Sequence, residues 1–322
     1  MYMMTLRLGY VSQALALWNA SPGKTMTLTR WQKMDPESRE DKLREVTRLN
    51  LEHTIRMLHY NIAHDIPLYR FSSSLAPLAT HEDAAWDYIT PFADLYKEIG
   101  RLVREHNIRP SFHPNQFTLF TSDKPHVTAN AVQDMEYHYH MLEAMGLEQR
   151  AWINLHVGGA YGDKKAAVAR FHENLQQLPG KIKARMTLEN DDKTYTAGDV
   201  LAVCEQENIP MMFDYHHFEA NHSGDERLEE LLPRFIDTWA HTDSRPKIHL
   251  SSPKSSEAFR SHADYVDPEF NLPFLQALKQ IGEPIDGMIE AKQKDYALLQ
   301  LVEDLASRRN VTRTGGAELQ WK

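Results

Sequence analysis

An apolar run in the middle of the chain ends abruptly in polar residues whose side chains could bind a metal ion. Residues 209–214 (IPMMFD) have the composition of a buried strand, and Tyr215, His216 and His217 follow Asp214 directly. Carboxylate and imidazole groups are costly to bury without a partner. The run therefore either leaves the core at an ordinary strand end or delivers Asp214 and a histidine to a bound ion.

Seven further runs have the length and residue types of buried strands. All eight runs are 6–11, 66–71, 108–113, 152–157, 185–189, 209–214, 246–250 and 285–290. Segments long enough for helices separate them, and two begin with a capping residue before proline, Asp35–Pro36 and Thr90–Pro91. Alternating strands and helices without a Gly/Ser-rich linker predict an α/β fold. We expect one domain over residues 1–322, a single (β/α)8 TIM barrel with a frayed polar tail over 309–322.

The active site of such a barrel lies at the carboxyl ends of its strands. Eight residues end these runs or lie one residue before the end: Tyr10, Arg70, His113, His156, Glu189, Asp214, His249 and Glu290. Six of these are metal-ligand types from six different strands, which incidental strand ends explain poorly. A mixture of imidazole and carboxylate favours Zn²⁺, Mn²⁺ or Fe²⁺ over Ca²⁺ and Mg²⁺.

Spacing around the sixth and seventh strands refines this prediction. His217 lies three residues after Asp214 and can turn back over the barrel mouth to bind a second ion, whereas His216 points elsewhere. Lys247 and His249 are two residues apart and face the same side of their strand. An isolated ammonium inside a barrel is unfavourable. Lys247 must therefore pair with carboxylates, become neutral or be covalently modified.

Composition narrows the class of protein. With 42% hydrophobic and 25% charged residues, the chain has the composition of a globular protein with a large core. The single cysteine, Cys204, excludes an intramolecular disulfide and favours the reducing cytoplasm. We find no signal peptide and no apolar stretch that could span a membrane. The formal charge of −9, taken alone, argues against a nucleic-acid partner.

Seven stretches between about residues 5 and 295 match a known family in the order of that family. They are RLGY (7–10), FHPNQF (112–117), LHVGGAYGDK (155–164), LEND (188–191), FDYHH (213–217), RPKIHLSS (245–252) and MIEAK (288–292). These stretches resemble the ultraviolet damage endonucleases, the UVDE or UvsE enzymes, which are metal-dependent TIM barrels related to endonuclease IV. Several stretches fall in predicted loops, where chance agreement is improbable.

The resemblance implies three divalent metal ions, with manganese expected. The implied ligands are His113, His156 and Glu189 for one ion, Glu189, Asp214, His249 and Glu290 for its neighbour, and His217 and His262 for the third. Endonuclease IV relatives use an aspartate for the third ion where this chain has Arg260. In the ultraviolet damage endonucleases a carboxylated lysine takes the place of this aspartate, and Lys247 occupies the matching position. Glu189, Lys247 and Tyr10 are the residues to which the resemblance assigns catalytic roles.

The same resemblance implies a double-stranded DNA substrate. Gln116 and Phe117 would form a wedge that enters the duplex at a lesion, since an aromatic ring replaces lost stacking and an amide pairs with an orphaned base. Tyr10 would line the lesion pocket, and Arg260 would contact DNA. The implied reaction is hydrolysis of the phosphodiester immediately 5′ to cyclobutane dimers, 6-4 photoproducts and abasic sites, which begins excision repair. We expect a cytoplasmic monomer without membrane contact.

Two alternatives stay open at this point. Glu189, Asp214, His249 and Glu290 alone could form the metal site of a sugar isomerase or epimerase of the xylose isomerase type. The surplus ligands His113, His156, His217 and His262 have no task in such a site. The second alternative is a damaged-DNA-binding protein without catalytic activity.

Overall fold

Eight parallel strands close into a barrel in the computed structural model, which describes residues 3–322. The strands are β1 (Met4–Val11), β2 (Leu68–Arg70), β3 (Arg109–Phe112), β4 (Trp152–His156), β5 (Met186–Glu189), β6 (Met211–Asp214), β7 (Lys247–Leu250) and β8 (Ile285–Ile289). Neighbouring strands pair in chain order, and β1 pairs with both β2 and β8. The predicted (β/α)8 TIM barrel is confirmed.

Helices follow the strands and cover the outside of the barrel. They are α1 (Leu28–Gln32), α2 (Pro36–Ala63), α3 (Ala93–Glu105), α4 (Pro125–Met145), α5 (Lys164–Leu175), α6 (Gly180–Lys183), α7 (Ala197–Glu207), α8 (Tyr215–Ala220), α9 (Leu228–Asp237), α10 (Pro268–Ile281) and α11 (Lys294–Ala306). The start of α2 at Pro36 is as predicted, whereas Thr90–Phe92 form a 3-10 turn before α3. Among residues 3–322, no helix combines the length and hydrophobicity that crossing a membrane requires.

Side chains inside the barrel form successive levels because alternate residues of each strand point inward. At the amino ends, Asp286 of β8 accepts hydrogen bonds from Arg7 of β1 and Arg109 of β3, at 2.7 and 2.6 Å. Two residues after Arg109, Ser111 meets Lys247, with 2.9 Å between Oγ and Nζ. The predicted metal ligands occupy the level above, at the carboxyl ends. The lower levels are therefore filled by polar side chains, and we call the level of Arg7, Arg109 and Asp286 the floor of the barrel.

The end of the chain forms a hairpin against the barrel. Strands β9 (Val311–Arg313) and β10 (Glu318–Trp321) pair with each other, and β10 pairs antiparallel with β1. The expectation of a frayed tail over 309–322 is therefore wrong. The expectation failed because polar and apolar residues alternate along the hairpin. The polar residues face solvent, while Leu319 and Trp321, only 2% and 8% exposed, pack inward.

Long connections follow several strands at their carboxyl ends. Residues 12–27, 71–89, 113–124 and 251–267 connect β1, β2, β3 and β7 to the next helices. They form a rim around the level that carries the predicted metal ligands. Loops on a rigid scaffold are where binding residues concentrate, so the rim is the surface to examine for substrate contacts.

Candidate metal centre at the barrel mouth

Two groups of ligand-type side chains meet at the carboxyl ends of the strands and share Glu189. One group is His113, His156 and Glu189, and the other is Glu189, Asp214, His249 and Glu290. Within each group, one ligand atom from each residue lies within 4.8 Å of the others. Strand register accounts for the proximity, because His156 is paired with Glu189 and Asp214 with His249.

Glu189 is the centre of this arrangement. Its Oε2 lies 3.1 Å from Nε2 of His113 and 4.0 Å from Nε2 of His156. Its Oε1 lies 3.0 Å from Nδ1 of His249 and 3.4 Å from Nδ1 of His217. Each carboxylate oxygen therefore faces different imidazoles, and Glu189 is placed to contribute to both groups of ligands.

The turn after β6 brings His217 back to the mouth. Asp214 ends the strand and caps α8, because its Oδ1 accepts a hydrogen bond from the backbone N–H of His217 at 2.8 Å. The Asn190 side chain fixes the turn by bonding both the N–H and the carbonyl of Asp214, at 2.9 and 2.8 Å. The His217 Nδ1 lies 2.9 Å from the carbonyl oxygen of Asn190, so its Nε2 is the nitrogen left for a ligand.

His262 reaches the same region from the connection after β7. Its Nδ1 lies 4.0 Å from Oε2 of Glu290, and its ring centre lies 6.2 Å from that of His217. The neighbouring His216 is buried and bonds Oγ of Ser251 at 2.8 Å and the carbonyl of Phe259 at 2.6 Å. His216 thus braces the loop that carries His262.

Charge compensation dominates the electrostatics of the centre. Burial of Glu189 favours its neutral form, but His249 and His156 outweigh this effect and hold its pKa well below the usual value. Burial likewise opposes the charge of Glu290, yet Arg70 and His249 lower its pKa. The carboxylates are therefore ionised and concentrate negative charge at the mouth.

The imidazoles respond to this charge in two ways. Burial disfavours the cation of His217, but Asp214 and Glu189 raise its pKa to about 11. Burial opposes protonation of His249 too, and Glu189 and Glu290 raise its pKa nonetheless. Burial lowers the pKa of His113 to about 4, which leaves its ring neutral. A proton on His217 thus offsets part of the carboxylate charge that a divalent ion would neutralise.

Two buried atoms at the centre have no hydrogen-bond partner among residues 3–322. They are Oδ2 of Asp214 and Nδ1 of His156. A buried carboxylate oxygen without a partner costs free energy unless something else satisfies it. Together with the mixed nitrogen and oxygen donor set, this oxygen fits a divalent transition-metal ion.

Comparisons with known proteins assign this chain to a family. A sequence profile of the UV-endonuclease UvdE family matches residues 6–322. The chain belongs to this family. A UV DNA damage endonuclease from Bacillus mycoides (strain KBAB4) is 60% identical over 318 residues, which cover 99% of this chain and 100% of that protein. The resemblance predicted from seven stretches is confirmed.

Solved structures agree with the family assignment. The crystal structure of SacUVDE has a TM-score of 0.83 with this chain at 30% identity, covering 93% of this chain and 98% of that one. Endonuclease IV from Thermus thermophilus has a TM-score of 0.51 at 10% identity, covering 73% and 87%. The second likeness shows the barrel fold alone.

Lys247 lies one level below the ligands. Its ammonium nitrogen is fully enclosed and contacts Ser111. Burial, followed by the nearby charges of Arg109 and Arg70, lowers the pKa of Lys247 well below its usual value. Lys247 lies two residues before His249 on β7, so its amine faces the barrel interior one level beneath the ligands.

Tyr10 does not lie at the mouth. It is fully buried between β1 and α2, where its hydroxyl donates to Oδ1 of Asn61 at 2.7 Å and its ring packs on Tyr60. Arg7, three residues earlier, points into the barrel towards Asp286, so alternation turns Tyr10 outward to the helices. Its predicted contact with a lesion and its catalytic role disagree with this burial.

The predicted DNA-contacting residues on loops are accessible. Phe117 is 72% exposed, Gln116 is also exposed, and Oδ1 of Asn115 accepts a hydrogen bond from the Phe117 N–H at 2.8 Å. Arg260 is exposed as well, with its Nε 3.9 Å from Oδ2 of Asp192. The structure thus leaves these side chains free to meet a large partner.

Sequence reasoning gave no role to two residues that orient the ligands. Arg70 at the end of β2 forms an ion pair with Glu290, and the side-chain amide of Asn154 donates to Oε2 of Glu189. Asn154 is itself held by the Thr187 hydroxyl, which donates to its Oδ1 at 2.8 Å. Position was the available signal, because Asn154 lies two residues before His156 on the same face of β4.

Metal binding should release protons from this centre. A histidine must be neutral to bind an ion, and His217, with its pKa raised to about 11, is protonated in the metal-free protein near pH 7. The apparent affinity for Mn²⁺ should therefore rise with pH, by about tenfold per unit for each proton released, and fall as the pH is lowered. Calorimetric titration in buffers of different ionisation enthalpy measures the number of protons released.

His217→Gln should reduce this number by about one, whereas His59→Gln on the exposed side of α2 should not. Equal proton release by wild type and His217→Gln would contradict the assignment.

Proposed function

We propose that the protein is a UV DNA damage endonuclease that hydrolyses the phosphodiester immediately 5′ to a photoproduct in double-stranded DNA. The substrates would be cyclobutane dimers, 6-4 photoproducts and abasic sites, and the incision would begin excision repair. The observation that carries this proposal is the double set of ligands sharing Glu189, in a chain that matches the UvdE family over almost its whole length. We assign the activity to a monomer.

We assign three divalent ions, and specifically manganese, to the mouth. His113, His156 and Glu189 would hold one, and Glu189 with Asp214, His249 and Glu290 would hold its neighbour. His217 and His262 would contribute to the third, supported by their approach to Glu189 and Glu290. Such ions supply charge neutralisation for the phosphate and activation of water.

The chain's own residues orient these ligands and keep their charges in place. Asn154 fixes the rotation of the Glu189 carboxylate, and Asn190 fixes the turn that presents Asp214 and His217. Arg70 holds Glu290 ionised at the edge of the opening. Among the ligands, His156 and His262 have the most exposed side chains, each 29%, so phosphate would approach from their side.

Lesion recognition is assigned to the loop after β3. Phe117 would enter the duplex and replace stacking lost at the lesion, while the Gln116 amide bonds an orphaned base. The exposure of Phe117 and the Asn115 side chain that anchors its backbone support this role. Arg260, on the connection after β7, would contact the phosphate backbone.

Two other functions were open from the sequence. A sugar isomerase or epimerase needs one or two ions, and it leaves His113, His156 and His217 around Glu189 without a task. A damaged-DNA-binding protein without activity has no use for a carboxylate shared between two ligand groups. The endonuclease is the function for which each ligand has a role.

Loss of Glu189 should abolish nicking. Because this carboxylate belongs to both ligand groups, Glu189→Ala should lower turnover by about a thousandfold or more. The assay is nicking of irradiated supercoiled plasmid by purified protein with Mn²⁺, alongside unirradiated plasmid and elemental analysis of bound metal. Glu205→Ala, which removes an exposed carboxylate paired with Arg234, is the matched control and should keep wild-type activity. Near wild-type nicking by Glu189→Ala with full metal content would exclude the centre as assigned, and wild type that binds damaged DNA without nicking would exclude the enzyme.

Loss of the Phe117 ring should weaken recognition and leave the metal centre intact. Stacking on a base contributes roughly 1–3 kcal/mol, so Phe117→Ala should lower the preference for damaged over intact duplex by about fivefold or more. Competition binding with lesion-bearing and undamaged duplexes measures this preference. Phe117→Tyr, which keeps the ring, should behave like wild type. An unchanged preference in Phe117→Ala would remove the wedge from the proposal.

We also propose that Lys247 is carboxylated. Its surroundings disfavour an ammonium and so supply the neutral amine that attacks carbon dioxide, with formation of the N–C bond and loss of one proton to solvent. The same cations, Arg109 and Arg70, would then stabilise the carbamate anion. This anion would add oxygen donors beneath the ligands and offset the absence of an aspartate at Arg260.

Replacement of Lys247 should separate the modification from folding. Lys247→Ala should keep its fold and the ions at Glu189 but lose most activity, with partial rescue by a short carboxylic acid. In ¹³C-labelled bicarbonate, the wild type should give a carbamate signal in NMR spectra that Lys247→Ala lacks and that the exposed-site control Lys181→Ala retains. An active, metal-loaded enzyme with an unmodified ammonium at Lys247 would refute the modification.

A further inference from the structure

The exposed apolar side chains of this protein are concentrated on one face. Within residues 3–322, the large hydrophobic side chains that are exposed are Met3, Leu15, Trp18, Phe117, Tyr161, Tyr265 and Tyr296. All except Met3 lie in a connection or first helical turn that follows the carboxyl end of a strand. Single exposed hydrophobic residues are normal on a protein surface, but clustering on one face indicates an interaction site.

Trp18 is the most exposed of them, at 89%, yet its backbone is firmly held. The guanidinium of Arg56 on α2 donates to the carbonyls of Trp18 and Asn19, at 3.0 and 3.2 Å. Farther back in the loop, the Asp295 carboxylate accepts hydrogen bonds from the N–H groups of Leu15 and Ala16, at 2.6 and 3.3 Å. The indole is therefore presented to solvent on a fixed base.

Two other exposed hydrophobic residues are linked to the loop of Trp18 through Asp295. Leu15, 38% exposed, is tied to Asp295, and Tyr296, 45% exposed, follows Asp295 directly. We call Leu15, Trp18 and Tyr296 the β1–β8 aromatic patch. The helix that carries Tyr296 begins four residues after the ligand Glu290. The patch thus borders the mouth on the side of β1 and β8, whereas Phe117 borders it on the side of β3.

Positive charges lie close to the patch in the chain. Arg56 and Lys292 are exposed, and Lys294 is partly exposed at the start of α11. Asp295, at the base of the patch, is fully buried, with its oxygens bonded to backbone N–H groups and to the Tyr60 hydroxyl at 2.9 Å. An exposed indole with Arg56 bonded to its backbone suits a nucleic-acid strand, whose bases stack on the ring while its phosphates meet cations.

We propose that Trp18, supported by Leu15 and Tyr296, is a second stacking contact with the DNA substrate, separate from the Phe117 wedge. This proposal rests on the proposed function and adds a contact on another side of the mouth. Stacking on aromatic rings tolerates any base sequence. Trp18 therefore strengthens the hold on duplex or frayed DNA beside the lesion and leaves discrimination of the lesion to Phe117.

Tryptophan fluorescence gives a direct test. The other five tryptophans are buried, none more than 8% exposed, so acrylamide should quench chiefly Trp18. When the metal-loaded enzyme binds a lesion-bearing duplex with a cleavage-resistant phosphorothioate at the incision site, the quenchable fraction should fall sharply. Trp18→Phe should lack this fraction with and without DNA. Trp18 that stays equally quenchable in the saturated complex would overturn the proposal.

Binding and turnover give an independent test. Trp18→Ala should bind damaged and intact duplex about fivefold or more weakly, by a similar factor for both, because one stacking contact is lost. Its KM for irradiated plasmid should rise while kcat at saturating DNA stays unchanged. Met3→Ala, which removes an exposed hydrophobic side chain at the opposite end of β1, is the matched control and should resemble wild type.

The outcomes separate this proposal from the proposed function. Wild type that nicks irradiated plasmid, with unchanged binding by Trp18→Ala, overturns the stacking contact and keeps the endonuclease. Wild type that neither binds nor nicks DNA overturns both. A dimer of wild type in sedimentation experiments that Trp18→Ala abolishes, with DNA affinity unaffected, would assign the patch to self-association and overturn the DNA contact.

Discussion

Three carboxyl groups buried within one opening are the constraint on which the rest of this structure depends. Glu189, Asp214 and Glu290 have side chains that are at most 11% exposed, so water screens their repulsion poorly. Cations and fixed dipoles offset this repulsion. Arg70 pairs with Glu290, and the imidazoles of His217 and His249, whose pKa values are raised, face Glu189. Removal of these compensating charges would leave a centre that could not stay ionised.

The floor of the barrel serves the same constraint. Asp286 lies between Arg7 and Arg109, and this ion network closes the amino end of the barrel with an excess of positive charge. Lys247 lies between that floor and the carboxylates. Cations below and a low dielectric around it make an ammonium unfavourable there, while any anion formed at the same place would be stabilised. The levels of the barrel therefore determine the chemistry available to Lys247.

The sequence predicted the barrel and the ligands because both depend on local rules. Short apolar runs located the eight strands, and the rule that sites lie at carboxyl strand ends selected the ligands around Glu189. Tyr10 escaped this reasoning because a strand end has two faces, and only the contact between Arg7 and Asp286 shows which face is inward. Arg70 and Asn154 act through partners far away in the chain. The hairpin at 311–321 was missed because its polar residues alternate with apolar ones that β1 covers.

A net charge of −9 is compatible with a DNA-binding mouth because the charges are not distributed evenly. On the outer helices, carboxylates such as Glu98 and Glu205 pair with arginines of the same layer, so their charge is offset locally. The carboxylates of the mouth lie in two groups of side chains that could hold metal ions. The rim then contributes exposed rings and cations on loops whose backbones are held by single polar side chains, Asn115 at Phe117 and Arg56 at Trp18. In the proposed function, rigid strands therefore carry the reaction while anchored loops carry recognition, and either can change in sequence without disturbing the other.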